Sequence, residues 1–347
     1  MVEPNIWQRL PRPFFMLAPM ANVTDTAFRQ VVATHGRPDL MVTEFTSCEG
    51  LCSAGRDRLV RELEFSALER PLLAQLFGPR PEAFYQCGRL ARQLGFAGVD
   101  INTGCPDRAV VRQGAGCALI GDAARIAEII AATKEGAGEL PVSVKTRLGV
   151  DSDILDRWLP ALLRAAPAAI AIHARTMREQ SAVPAQWDAV ARAVKLASGS
   201  GVAIIGNGDV RDLAHAERLV ESSGADGVML GRAIFGNPWL FNRAVDKARL
   251  GLARVLTVML DHARLFDQLL GDVKNFVEMR RHFKAYVAGF PQAKRLRVAL
   301  MQTSSLADAE RVVGDYLAPG GGKTAASPRA RGSLGLPGLA LTAETGR

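Results

Sequence analysis

Short apolar segments alternate with helical segments through the first two thirds of the chain, and this alternation constrains the fold more than any other feature. Short apolar runs are typical of strands that are covered on both faces, and strands that alternate with helices favour a parallel sheet. The predicted strands are Phe14–Ala18, Leu40–Phe45, Leu72–Phe77, Gly98–Thr103, Val142–Arg147, Ala169–His173, Ala203–Gly206 and Gly227–Leu230. The predicted helices are Thr26–His35, Glu82–Leu94, Ala123–Lys134, Ile154–Ala166, Trp187–Ala197 and Leu213–Ser222.

Eight strand–helix units within about 240 residues predict an α/β fold of the (β/α)8 TIM-barrel type. A doubly wound sheet is the weaker alternative, because residues 18–22 after the first strand carry no glycine-rich dinucleotide fingerprint. In a TIM barrel the functional site lies at the carboxyl ends of the strands. We therefore expect the polar residues that follow the strands to be functional.

The pattern changes after Phe241. Residues 242–317 contain no strand-like run and are predicted to form a small all-helical domain after a barrel domain of residues 1–241. Its middle part is basic, with interleaved aromatic residues, which is typical either of a nucleic-acid platform or of a bundle with a solvated charged face. Residues 318–347 are rich in Gly, Ala, Pro and Arg and are predicted to be a disordered tail.

The bulk composition narrows the cellular setting. The net charge of +8 suits a polyanionic partner, although charge that only maintains solubility explains it equally well. The five cysteines lack paired spacing, which indicates free thiols in a reducing cytoplasm. Cys48 and Cys52 have no nearby partners that would complete a zinc site, so no metal is expected. Neither a secretion signal nor an apolar run of membrane-spanning length is visible, so no membrane association is expected.

Cys105 is the strongest candidate for a chemical role. It follows the strand 98–103 and lies between Gly104 and Pro106, where a tight turn can direct the side chain into a cleft. Structural cysteines usually lie inside apolar runs instead. We therefore predict that Cys105 is an active-site thiol rather than a packing residue.

Other strand ends predict a site for a phosphorylated ring. Residues 206–209 and 231–232 offer small residues and a guanidinium where barrels of this type often bind phosphate. Lys145 lies within an apolar strand and requires an anion or an electron-rich ring, such as a reduced flavin. Gln75 could hydrogen-bond the pyrimidine edge of such a ring. His173 is either a ligand or a satisfied buried histidine.

These residues fall into an ordered set of motifs that resembles the bacterial tRNA-dihydrouridine synthases. The resemblance extends from about Phe14 to about Gln302, although Asn22 stands where a glycine is frequent and residues 177–184 lack a Tyr-containing loop. The matching segments are Leu17–Ala21 with Thr24–Asp25 and Phe28–Arg29, Ala74–Gly78, Asp100–Pro106, Val144–Gly149, Ile172–Thr176, Ile205–Asp209, Asp226–Arg232 with Gly236–Trp239, and Met279–His282 with Gly289–Phe290.

The resemblance implies an FMN-dependent oxidoreductase that reduces the C5–C6 bond of particular uridines in tRNA, with the D-loop as the expected location. NADPH, or NADH, is the implied electron donor, hydride is added at C6, and Cys105 is the implied proton donor to C5. The implied FMN contacts are Pro19, Met20, Ala21, Gln75, Lys145, His173, Asn207, Gly208, Asp209, Gly231 and Arg232. The implied substrate contacts are Asn102, Arg147 and Arg175 in the barrel, together with Arg280, Arg281 and Lys284 in the helical domain.

Two other functions remain open from the sequence. An FMN barrel that reduces a free pyrimidine, similar to dihydroorotate or dihydropyrimidine dehydrogenases, would share the phosphate loops but would not need the basic helical domain. An RNA-binding protein with an inactive barrel is disfavoured by the intact set of Cys105, Lys145, Asn207 and Arg232. For the favoured function we expect a monomer that binds tRNA.

Overall fold

The computed structural model describes residues 5–290 and 293–318, and within them nine parallel β-strands form one sheet that curls into a barrel. The predicted tail of residues 318–347 lies, apart from Ala318, outside the described residues. β1 pairs with β9, and a bridge between Met16 and Leu40 connects β1 to the second barrel position. The strands are β1 Phe14–Leu17, β2 Met41–Val42, β3 Thr46–Ser47, β4 Leu72–Phe77, β5 Gly98–Asn102, β6 Val142–Arg147, β7 Ala169–His173, β8 Ala203–Asn207 and β9 Gly227–Leu230.

Helices surround the barrel and continue beyond it, as expected for a TIM barrel with a C-terminal helical region. None of the helices in the described part of the chain is long and apolar enough to cross a membrane. Around the barrel lie α1 Ile6–Arg9, α2 Thr26–Gly36, α3 Cys48–Leu51, α4 Arg56–Glu62, α5 Pro81–Leu94, α6 Arg108–Arg112, α7 Ala123–Ala137, α8 Leu155–Arg164, α9 Trp187–Ala197 and α10 Leu213–Ser223. The C-terminal region contains α11 Leu252–Leu270, α12 Met279–Tyr286, α13 Lys294–Leu300 and α14 Leu306–Leu317. Short 3₁₀ turns lie at Ala67–Glu69, Gly116–Leu119, Arg232–Ile234, Lys247–Arg249 and Phe276–Glu278.

The second barrel position differs from the prediction, because the single strand 40–45 is divided into β2 and β3. The backbone N–H of Gln75 in β4 donates a hydrogen bond to the side-chain hydroxyl oxygen of Thr43 at 3.0 Å. This bond replaces a backbone acceptor, and the ladder is interrupted until Thr46 pairs with Leu76. The residues between the two short strands thereby gain freedom from regular sheet geometry close to the barrel mouth.

Two apolar layers hold the barrel together, and β1 shows how one strand serves both. Phe14 and Met16 belong to the cluster that fills the barrel interior, whereas Phe15 and Leu17 pack outward against the surrounding helices. Successive side chains of a strand point to opposite faces, so each strand contributes to both layers. Full burial on both sides explains why the sequence shows continuous apolar runs rather than alternation.

The helical region packs against the barrel through α2. Ala27 and Val31 of α2 belong to the same buried cluster as residues of α11, α12 and α13. The side chain of Lys274, which follows α11, donates to Glu44 after β2 at 2.6 Å. The two parts of the chain therefore share an apolar contact and a buried ion pair, which fixes how the helical region sits beside the barrel mouth.

Candidate active site

A cavity of about 270 Å³ opens at the carboxyl ends of the barrel strands, where a TIM barrel carries its site. It brings together residues from eight of the nine strands or from the loops that follow them. The predicted site residues that line it are Pro19, Met20, Gln75, Asn102, Cys105, Lys145, Arg147, His173, Asn207, Gly208, Asp209, Gly231 and Arg232.

The remaining predicted site residues lie elsewhere. Ala21 is exposed in the loop after β1, next to the lining residue Met20, and Arg175 is buried behind the wall formed by Asp209. Arg280, Arg281 and Lys284 all belong to α12 and do not line the cavity.

Sequence reasoning missed several lining residues. Phe45 lies in the gap between β2 and β3, and Ser181 reaches the cavity from the long loop after β7. Met229 faces the cavity from within β9. Phe45 had a usable signal, because it ends an apolar run; Ser181 had none, since its position depends on how the loop folds.

The loop that carries Cys105 is held on three sides. Asn102 Oδ1 accepts the backbone N–H groups of Gly104 and Cys105 at 3.0 and 2.9 Å. Arg147 Nε donates to the Gly104 carbonyl at 2.7 Å, and the Cys117 amide donates to the Cys105 carbonyl at 3.1 Å. These bonds fix the backbone on both sides of the thiol and direct it into the cavity.

The environment of Cys105 keeps its sulfur protonated. The residue is 9% exposed, and burial raises the pKa of its thiol above the usual value. Neighbouring Arg147 and Lys145 oppose this change without reversing it. A protonated thiol that faces a cavity can donate a proton, which is the function of a general acid.

Lys145 is a half-buried cation that lines the cavity from within β6. Its Nζ lies 3.5 Å from Asn207 Oδ1, and it has no ion-pair partner among the described residues. Burial, assisted by Arg147, lowers its pKa to about 8. Burying such a cation is costly unless an anion or an electron-rich ring lies beside it and stabilises its charge.

His173 lies at the end of β7 beside these cations and is neutral. Burial together with Lys145 and Arg147 lowers the pKa of its imidazole to about 2. One ring nitrogen of a neutral imidazole donates a hydrogen bond and the other accepts one. His173 can therefore position a polar ligand in the cavity without adding charge.

The opposite wall is formed by the loops after β8 and β9. Asp209 pairs with the buried Arg175 and, at 2.6 Å, with Arg232, whose side chain is 63% exposed. Gly208 has a φ of +130°, and a Cβ there would lie 2.8 Å from Ala185 Cβ. The tight loop therefore requires glycine, and Arg232 stays exposed while it pairs with Asp209.

The charges of the lining fit a flavin mononucleotide. Lys145, Arg147 and Arg232 face only one carboxylate, that of Asp209, among the described residues that line the cavity. A phosphate and an electron-rich ring would balance this excess of positive charge. The amides of Gln75 and Asn102 supply neutral hydrogen-bonding groups suited to a ring edge.

The loop after β1 accommodates its unusual residue without distortion. Asn22, which stands where the resembling family often has glycine, has a φ of +55°. This left-handed region is favoured by glycine and tolerated by asparagine. The substitution therefore preserves the backbone turn that carries Pro19, Met20 and Ala21.

Comparison with known proteins agrees with this geometry. A probable tRNA-dihydrouridine synthase of Staphylococcus aureus strain COL is 40% identical over 327 residues, which cover 91% of this chain and 96% of that protein. The probable tRNA-dihydrouridine synthase 2 of Bacillus subtilis strain 168 is 39% identical over 317 residues, with 90% and 96% coverage. The chain thus matches these relatives along almost their entire length.

Solved structures support the fold alone, because their sequence identity is low. Histamine dehydrogenase from Rhizobium sp. 4-9 aligns with a TM-score of 0.54 and 13% identity over 75% of this chain and 51% of that chain. Morphinone reductase aligns with a TM-score of 0.50 and 14% identity over 69% and 89% of the two chains. The family model for dihydrouridine synthase (Dus) matches residues 16–318, and the chain belongs to the dihydrouridine synthase family.

Proposed function

We propose that this protein, a tRNA-dihydrouridine synthase by family, reduces the C5–C6 double bond of specific uridines in tRNA with FMN as its flavin. The observation that carries the proposal is that the protonated thiol of Cys105 and the cation Lys145 line the same cavity. A general acid beside a site for an anionic ring is the combination that reduction of a uracil requires. When bound, FMN supplies the hydride that is added at C6 of the uracil.

The wall residues described above are proposed to hold FMN. Lys145 and Gln75 suit the ring, and Arg232 with the loop around Gly208 suits the phosphate. His173 is proposed to add a neutral hydrogen bond to the same ligand. The complete proposed set is Pro19, Met20, Ala21, Gln75, Lys145, His173, Asn207, Gly208, Asp209, Gly231 and Arg232.

Cys105 is proposed to donate its proton to C5 of the uracil. Its thiol stays protonated near neutral pH because burial disfavours the thiolate. Asn102 and Arg147 are proposed to contact the uracil or the nearby RNA backbone, and both hold the Cys105 loop through hydrogen bonds. Arg175 is proposed to act on the nucleic acid only through Asp209 and the loop beyond Ser181, since its side chain is buried.

The basic residues of α12 are proposed to bind tRNA. Arg281 and Lys284 are exposed and free to meet phosphate groups. Arg280 donates instead to the carbonyl of Thr303 at 2.8 Å, so much of its role is to join α12 to the segment before α14. The target uridine must leave its base stack to reach the cavity, which is easier in a tRNA loop than in a helix.

The electron donor, the oligomeric state and the cellular location belong to the same proposal. NADPH, or NADH, is proposed as the electron donor, and the protein is proposed to act as a monomer in the cytoplasm, where its tRNA substrate is found. The reduction of a free pyrimidine is not favoured, because such a reaction has no use for a basic helical region anchored to the barrel by a shared apolar cluster.

The direct test is position-resolved dihydrouridine content in unmodified tRNA incubated with the full chain, FMN and NADPH. We expect product at a defined D-loop position with tRNA and none with free uracil or uridine. Turnover of the free pyrimidine without turnover of tRNA would replace the proposal with the small-molecule reductase. Deletion of the helical region is a poor test, because it would expose the cluster shared with α2.

A further inference from the structure

A continuous series of buried hydrogen bonds lies beneath the cavity and ends at the loop that carries Cys105. Ser143 Oγ and Gln75 Nε2 donate to the two carboxylate oxygens of Asp100 at 2.6 and 2.7 Å. Asn102 Nδ2 donates to Gln75 Oε1 at 3.0 Å. Asp100 is 3% exposed and Gln75 is fully buried, so water does not compete for these bonds.

Sheet register brings these residues together. Asp100 on β5 lies opposite Gln75 on β4 and opposite Ser143 on β6. Asn102 follows two positions later and therefore points to the same face as Asp100. Three neighbouring strands thus align one carboxylate, one hydroxyl and two amides in a row that leads to the carboxyl ends of the strands.

The orientation of both amides is fixed from each end of the row. At the loop end, the backbone N–H groups of Gly104 and Cys105 can only donate, so the Asn102 oxygen must face them. Asn102 Nδ2 then faces Gln75, whose oxygen must accept. Gln75 Nε2 is thereby directed at Asp100, whose two carboxyl oxygens accept from Gln75 and Ser143. Donor and acceptor requirements agree at every bond.

This arrangement determines what the two amides can offer a ligand. Each amide nitrogen carries two hydrogens, and the row uses one hydrogen of Gln75 and one of Asn102. Both side chains also line the cavity. The second hydrogen of each amide is therefore not used by the row, while both amide oxygens are occupied by the protein.

We propose that Asp100 is a positioning residue, which orients the Gln75 amide as a donor toward the ligand and, through Asn102, holds the Cys105 loop in place. The inference rests on the proposed function and extends it from the residues that touch the ligands to the buried carboxylate behind them. Asp100 acts through its acceptor oxygens; its charge, which also faces Lys145, is a separate effect.

Three variants separate these effects. Asp100→Asn keeps an acceptor oxygen for Gln75 and removes the charge, whereas Asp100→Leu removes both. Ser143→Ala is the matched control, because it removes one bond to Asp100 and leaves the bonds of Gln75 and Asn102 intact. Thermal unfolding establishes that each variant is folded at the temperature of the assays.

The first readout is the alkylation rate of Cys105 by iodoacetamide in the full chain without FMN, followed by peptide mass spectrometry. Cys87 and Cys117 are buried internal references, because general loosening of the barrel would expose them as well. We expect Asp100→Leu to accelerate alkylation of Cys105 alone by about five- to tenfold, which is the change in population expected from the loss of one typical hydrogen bond. Asp100→Asn and Ser143→Ala should stay within about twofold of the wild type.

The second readout is FMN affinity, measured by quenching of flavin fluorescence. We expect binding to weaken about tenfold in Asp100→Leu and to be retained in Asp100→Asn, since only the former leaves the Gln75 donor unoriented. Equal loss in the two Asp100 variants would show that charge, not orientation, is the cause and would overturn the inference. Wild-type behaviour of Asp100→Leu in both assays would overturn it too.

If Asp100→Leu does not fold, Gln75→Met removes the middle of the row with little change in volume. The same selective acceleration at Cys105 is then expected, and an unchanged rate contradicts the inference. Failure of the proposed function would look different: the wild type would yield no dihydrouridine, while the alkylation pattern of the variants would be unaffected.

Discussion

The cavity at the barrel mouth and the seam between barrel and helical region both contain cations within the fold, but the seam pairs its buried cations with carboxylates, whereas the cavity leaves Lys145 without an ion pair among the described residues. We define the seam as α2, the turn Ala67–Glu69, Glu44 and Lys274. Arg29 meets Glu69 at 2.7 Å with both side chains fully buried, and Lys274 meets Glu44 at 2.6 Å. In the cavity, Lys145 reaches only the amide oxygen of Asn207 at 3.5 Å.

The difference separates a structural from a functional use of buried charge. Cations that meet carboxylates inside the fold need no further partner, and removing one member leaves the other uncompensated. A buried cation without a carboxylate is an unfavourable feature of the ligand-free fold that an anionic ligand can correct. Substitutions in the seam should therefore affect stability, and substitutions in the cavity should affect binding and turnover.

The largest effect is expected at Cys105, where Cys105→Ala should lower dihydrouridine formation by about 10²- to 10⁴-fold, the range of a lost general acid. Binding of FMN and tRNA should persist, because the loop is held by backbone groups and by Asn102. Single-turnover product formation measures the loss. Cys117→Ala, which removes a neighbouring buried thiol, is the control, and near wild-type turnover of Cys105→Ala would remove it as the acid.

In the seam, Glu69→Gln should lower the free energy of unfolding by about 3–5 kcal/mol, because it leaves Arg29 buried without a counter-charge. FMN affinity in the folded fraction should stay unchanged. Denaturant unfolding and a flavin titration at low temperature measure the two quantities. A variant that keeps its stability but loses FMN would contradict the division between seam and cavity.

Lys145→Met should show the reverse of the Glu69→Gln result: a higher stability of the ligand-free protein and a weaker affinity for FMN. The folded pKa of about 8 lies below the usual 10.5, so the protonated lysine destabilises the ligand-free fold at neutral pH. This cost disappears as the pH rises from 8 to above 10, because the unfolded chain then binds more protons than the folded one. The variant should be about 2–3 kcal/mol more stable at pH 7 without FMN and no more stable at pH 11.

The same lysine should make FMN binding pH-dependent. Affinity of the wild type should fall above about pH 8, as Lys145 loses its charge, and Lys145→Met should bind weakly without that dependence. Flavin titrations between pH 6 and 10 measure this. A wild-type affinity that is constant across the range would show that Lys145 does not meet the anionic ligand.

Asp25, which caps the start of α2 beside the seam, gives a smaller, pH-dependent effect. Burial raises its pKa to about 6, with Lys274 opposing and Glu44 adding to the change. The stabilising protonated form is present below pH 4 and is lost as the pH rises through 6. Asp25→Asn keeps the cap on the Phe28 amide and cannot ionise, so its stability relative to the wild type should rise by about 2 kcal/mol between pH 4 and pH 7. Thermal unfolding at both pH values measures the change, and an equal difference at both would contradict it.

The smallest effect should come from the solvated face of the helical region. Charge reversal of Arg281 and Lys284 should weaken tRNA binding and flatten its dependence on salt, because fewer counterions are released. Stability should change by less than about 0.5 kcal/mol, since both residues are exposed. Filter binding across a salt series measures the slope, and an unchanged slope would locate the RNA on another surface.

The regular parts of the fold followed directly from local sequence pattern. Strands Leu72–Phe77, Val142–Arg147 and Gly227–Leu230 and the helix Trp187–Ala197 have the predicted bounds, because a strand pattern or a helical periodicity is visible within each segment. The short helices Cys48–Leu51 and Arg56–Glu62 were missed, since so few turns carry no periodicity. The interruption of the second barrel position depends on one side-chain bond to another strand and has no local signal.

The sequence by itself determined the barrel, the helical region and the residue types that end each strand, because these depend on neighbours within a few positions. Only the tertiary structure decided how those residues act together. The row from Ser143 to Cys105 requires three strands in one register, and the Lys274–Glu44 pair joins residues 230 positions apart. Donor and acceptor directions, burial and charge balance arise from such distant contacts, so they exist only in the folded chain.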